Sequence, residues 1–68
     1  MPKVIILLAQ GCEEIEAVTV IDILRRAGIT VVSAGLDSQP VRACRGVMLV
    51  PDTTLDAVLH DSFDMVVL

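Results

Sequence analysis

The stretch QGCEEIEAV, residues 10–18, gathers the side chains best able to do chemistry: the thiol of Cys12 and the carboxylates of Glu13, Glu14 and Glu16. A thiol near a helix start can be acidified into a nucleophile. A carboxylate kept from water holds its proton and can donate it to a neighbour. Cys12 has a simpler alternative as a small buried residue, since free cysteine commonly packs as a hydrophobe. Cys44, in CRG at 44–46, and His60, beside Asp61, complete the reactive inventory. His60 reads as a solvated side chain. Two cysteines and one histidine are too few for a Cys/His zinc site, and neither a metal nor a cofactor is expected.

Of the three glutamates, Glu16 stands apart. On a helix it shares a side with Val20, Ile23 and Ala27, so it falls on the apolar edge. Glu13 and Glu14 look instead like charges suited to a helix N-terminus. Burial at the apolar edge favours the protonated acid, which could hydrogen-bond a thiolate and support nucleophilic or redox work. The alternative is a rim glutamate reaching out to water.

These residues need a scaffold, and the surrounding pattern supplies one. KVIILLA at 3–9 is a continuous apolar run of strand length. From about Glu13 to Ala27 the apolar residues Ala17, Val20, Ile21, Leu24 and Ala27 recur at helical spacing. Asp22 can reach Arg25 or Arg26, and Gly28 marks the helix end. ITVVSAG at 29–35 is a second strand, which completes a βαβ unit. LDSQP at 36–40 is a polar loop, and short strands flank Arg45 and Gly46. Residues 51–54 reset the chain, 54–60 make a short helical turn at best, and FDMVVL at 63–68 is another strand. Gly11 and Cys12 lie at the exit of the first strand, where open α/β sheets form their ligand crevice.

The 68-residue chain is 54% hydrophobic, with Phe63 its one aromatic residue. Aliphatic strands without aromatics suit a parallel sheet buried on both faces, yet such a sheet needs more strands than this length supplies. The chain also stops at Leu68 inside an apolar run. The expectation is that residues 1–68 are the N-terminal portion of a single larger α/β domain, unable to fold stably alone. The net charge of −4 argues against a nucleic-acid surface. No secretory leader or membrane-length apolar run is seen, so a cytoplasmic protein with free thiols is expected.

GCEEIEAV, followed by DILRRAGITV and then by CRGV before PD, resembles the ThiJ/PfpI superfamily, most closely the branch that contains the Parkinsonism-associated deglycase. The resemblance runs from Lys3 to Leu68. It implies a flavodoxin-like α/β sandwich nearly three times this length, usually a homodimer. It places the reactive cysteine and a nearby histidine beyond Leu68, so that Cys12, Cys44 and His60 do not fill those roles. It also implies that Glu16 points into the pocket and hydrogen-bonds the reactive cysteine. Arg26 and Arg45 are implied to lie near the dimer interface, beside the partner's approach to the pocket. Without the resemblance they read as a solvated helix end and a turn charge. Ile15 and Ile23 lie off the main apolar face, which fits a helix covered on two sides. Val47, Met48 and Val50 read as core or interface packing.

Three functions follow as alternatives. The first is part of a cysteine-dependent enzyme acting on reactive carbonyls such as methylglyoxal, with Glu16 handling protons for a cysteine outside the chain. The second is an oxidative-stress sensor or chaperone in which the same cysteine is oxidised. The third is a non-catalytic flavodoxin-like scaffold. The 68 residues alone are expected to be inactive in each case.

Overall fold

The structure, a computed structural model, describes residues 2–68. Its elements are β1 (Lys3–Leu8), α1 (Glu14–Arg26), β2 (Thr30–Gly35), β3 (Val41–Arg42), β4 (Met48–Leu49), β5 (Thr53–Thr54), α2 (Leu55–Val58) and β6 (Met65–Val67). Four strands form a parallel sheet in the order β5-β2-β1-β6, and β3 pairs with β4 as a separate antiparallel ribbon. β1 pairs with β2 from Lys3↔Thr30 to Leu8↔Gly35 and with β6 from Val4↔Met65 to Ile6↔Val67. A strand flanked on both sides and packed on its faces must be apolar throughout, and Val4, Ile5, Ile6 and Leu8 are all buried.

Ala17 is the buried residue of α1, and Val20, Ile21 and Leu24 pack half-buried against Val4, Ile6, Leu8 and Val31. Acidic residues occupy the first turn of α1 and Arg25 and Arg26 its last, which complements the helix dipole. The helix ends in a paired cap: Ile29 N–H donates to Leu24 O at 3.0 Å and Gly28 N–H to Arg25 O at 3.1 Å. This cap needs a left-handed residue, and Gly28 has φ +82°.

The sheet, helix and hairpin match the elements read from the sequence. Three details differ. Thr53 and Thr54 form a short parallel strand on β2, opposite Ala34 and Gly35, where the sequence reading has residues 51–54 resetting the chain and a helical turn starting at 54. Ala27, expected on the apolar face, is exposed because it falls in the cap beyond the last packed turn. β6 lies at the sheet edge, so its Met65 and Val66 are exposed rather than buried.

Asp52 fastens the second layer to the sheet. Its carboxylate accepts the Ser33 backbone N–H at 3.0 Å and the Arg25 guanidinium at 2.8 Å, while its own N–H donates to Ser33 Oγ at 2.8 Å. Arg25 also donates to Val31 O at 2.9 Å. One carboxylate thus joins α1, β2 and the segment entering β5. No helix among the described residues is long and apolar enough to cross a membrane.

Candidate functional site

β1 and β6 run parallel, and the loop from β1 into α1 leaves at their C-terminal ends. An open cavity of about 340 Å³ lies there, walled by Leu8, Val67, Cys12, Glu13, Glu16 and Ala17 among others. This is where ligands enter parallel α/β sheets. Gly11 turns the chain with φ +83°, a conformation that suits glycine. Cys12 N–H then closes a turn to Ala9 O at 3.1 Å, and half-buried Cys12 faces the cavity.

Glu16 stands on this wall, in the first turn of α1. It is exposed, whereas the sequence suggested burial. The physical reason is that helical spacing fixes the direction of the side chain, which does face the cavity, but not what covers it. Here the cavity is open.

Arg26 and Arg45 are not brought to the cavity. Arg26 lies ten residues beyond Glu16 on α1, about 15 Å along the axis, and pairs with Asp22 at 3.1 Å. Arg45 sits exposed in the turn between β3 and β4. Its backbone N–H, not its guanidinium, makes the notable contact, donating to Glu14 Oε2 at 2.9 Å.

Glu14 was read from the sequence as a helix-start charge, and the structure gives it more to do. Its carboxylate accepts the N–H groups of Arg45 and, at 3.4 Å, of Val47, and it lies 3.5 Å from Cys44 Sγ. Partial desolvation works to raise its pKa, but hydrogen bonds from its own backbone N–H, then from the Arg45 and Val47 N–H groups and the Cys44 thiol, outweigh it and hold the carboxyl below the ordinary value. Gln10 makes a parallel set of ties, accepting Arg42 N–H at 2.9 Å and donating to Pro40 O at 3.2 Å. Neither role has a local signal, since the partners lie 30 or more residues away.

Cys44 donates its thiol proton to Glu13 at 3.1 Å. The Glu13 hydrogen bond above all, then desolvation and the Glu14 contact, push its pKa up to about 12. A thiol so held is a poor nucleophile, which suits a structural role for Cys44 better than a reactive one. Sγ of Cys44 and the carboxylates of Glu13 and Glu14 lie within 4.8 Å of one another, close enough to chelate a cation. Their hydrogen bonds already account for the cluster. His60 is exposed.

A parallel sheet with a helix crossing over it and a crevice at the strand ends defines an α/β protein of the flavodoxin-like class. The chain belongs to the DJ-1/PfpI family, whose model matches residues 2–68. It is 48% identical over 65 residues to protein dj-1beta of Drosophila melanogaster, covering 94% of this chain and 35% of that protein. It is 36% identical over 64 residues to the glutathione-independent glyoxalase DJR-1.2 of Caenorhabditis elegans, covering 94% of this chain and 34% of that one. Among solved structures, oxidized Toxoplasma gondii DJ-1 superposes with a TM-score of 0.93 at 42% identity, covering 97% of this chain and 36% of that chain. The chain therefore spans about a third of the length of the relatives it matches.

Proposed function

We propose that the chain forms the N-terminal third of a cysteine-dependent DJ-1/PfpI domain acting on small reactive carbonyls such as methylglyoxal, and that it supplies the pocket glutamate rather than the nucleophile. The observation that carries this reading is the place of Glu16, on the wall of the cavity at the carboxyl ends of β1 and β6. The remainder of the domain contributes a cysteine whose thiolate adds to the carbonyl carbon. Glu16 hydrogen-bonds that sulfur and handles the proton. Cys12 lines the cavity beside it, while Gly11 turns the chain just outside the lining. The name of the C. elegans relative supports the reaction class.

The complete domain works as a cytoplasmic homodimer in this reading, with Arg26 and Arg45 near the contact between copies. Exposed Val18 and Val50 both border a cleft between α1 and the β3–β4 ribbon, an apolar surface that suits such a contact. The test is methylglyoxal turnover by the complete protein. Activity should fall at least about tenfold in Glu16→Gln, and equal turnover in the two proteins would remove Glu16 from the mechanism.

A second reading makes the same cysteine an oxidation sensor, with Glu16 stabilising its oxidised form. The oxidized state named for the T. gondii structure favours it. Mild peroxide should then oxidise that cysteine ahead of Cys12 and Cys44, as read by mass spectrometry. Uniform oxidation of the three would count against a sensor.

A further inference from the structure

The start of α1 has no side-chain cap. Glu13 occupies the N-cap position in extended backbone, with φ −82° and ψ 118°, and its side chain makes no cap hydrogen bond. An uncapped end frays unless something else ties it. Glu14 is the tie: its two oxygens lie 2.9 and 3.2 Å from Arg45 N and 3.4 Å from Val47 N, across more than 30 residues of sequence. The loop before it is laced to the same ribbon. Gly11 N–H donates to Arg42 O and Cys44 N–H to Cys12 O, both at 2.8 Å.

We infer that Glu14 is a positioning residue: by fastening the first turn of α1 to the β3–β4 turn, it holds the Glu16 carboxyl group at the cavity rim. Glu14 does not line the cavity, whereas Cys12, Glu13 and Glu16 on either side of it do. The two glutamates are two residues apart on one helical turn, so they point in different directions while sharing one rigid backbone. Glu14 faces the ribbon and Glu16 the pocket. The inference rests on the role proposed for Glu16 above.

The experiment uses the complete protein and follows alkylation of its reactive cysteine by iodoacetamide against pH, in Glu14→Ala, Glu14→Gln, Glu16→Ala and the Glu14→Ala/Glu16→Ala double variant. Hydrogen exchange at the Arg45 and Val47 amides is read alongside. Glu14→Ala should shift the alkylation midpoint upward by about half a pH unit, in the same direction as Glu16→Ala. The double variant should match Glu16→Ala alone, because one residue acts through the other. Glu14→Gln, which keeps an acceptor oxygen for the turn, should restore the profile. Exchange at Arg45 and Val47 should quicken at least about fivefold in Glu14→Ala. Glu14→Asp, too short to reach both N–H groups, replaces the alanine variant if that one does not fold. A midpoint unmoved by Glu14→Ala but moved by Glu16→Ala overturns the inference and leaves the Glu16 role standing, as do additive shifts in the double variant. A midpoint unmoved by Glu16→Ala overturns the Glu16 role, and the inference with it.

Discussion

The Asp52 carboxylate lies 2.8 Å from the Arg25 guanidinium while also accepting the Ser33 N–H, so a single side chain joins the last turn of α1 to the middle of β2. The Ser33 backbone hydrogen bond is the main cause of its lowered pKa. Desolvation opposes it, and the Ser33 hydroxyl and the Arg25 charge add to the lowering. A carboxyl whose folded pKa is depressed contributes stability that is fully present above its unfolded value and is lost as pH falls through the folded one. The window therefore lies below about pH 4. In the complete protein, Asp52→Asn should cost about 0.5–1 kcal/mol near neutrality, a figure kept small because the pair is about half exposed. It should also flatten the acid limb of the stability–pH curve. Urea melts at pH 7 and pH 3 check both.

Cys44 should be sluggish. With its pKa pushed to about 12 by Glu13 foremost, its alkylation at pH 8 should run at least about tenfold slower than that of an unperturbed cysteine. Glu13→Gln should restore much of the rate. Peptide-level mass spectrometry after timed iodoacetamide treatment reads this directly, and a fast Cys44 in the parent would show that the Glu13 contact is absent in solution.

The helix stop depends on Gly28. At φ +82° a Cβ costs about 1 kcal/mol, so Gly28→Ala should lower the stability of the complete protein by about that amount. An open surface surrounds the position, so the loss would come from backbone conformation and not from a clash. A denaturant midpoint unchanged by the substitution would argue against the cap.

The 68 residues expressed alone should not unfold cooperatively. Ile15 is 75% and Val50 81% exposed, and a sheet whose edge strand leaves Met65 and Val66 open gives little core per residue. Circular dichroism on heating should show a shallow slope. A sharp sigmoidal transition would mean that this segment is a folding unit in its own right.

The sequence was most informative where the signal is local. The run at 3–9 announced a strand buried on both sides, helical spacing announced α1, and Gly28 announced its end. Thr53 and Thr54 escaped notice because a two-residue strand exists only through its pairing with Ala34 and Gly35. Glu14 and Gln10 were missed for a similar reason, as their partners are backbone groups of a distant hairpin. Glu16 was half legible. Its spacing gave the side of the helix and hence the cavity, but burial depends on what packs over that cavity. Arg26 and Arg45 came from family resemblance alone, and within these residues the first pairs with Asp22 while the second stays in a turn away from the cavity.

The most direct test of the account is the pKa of the reactive cysteine in the complete protein, with and without Glu16. Thiolate absorbance followed across pH should show the midpoint rising by about one unit or more in Glu16→Ala. Coincident titration curves would contradict the claim that this segment supplies the carboxyl group whose hydrogen bond stabilises the thiolate.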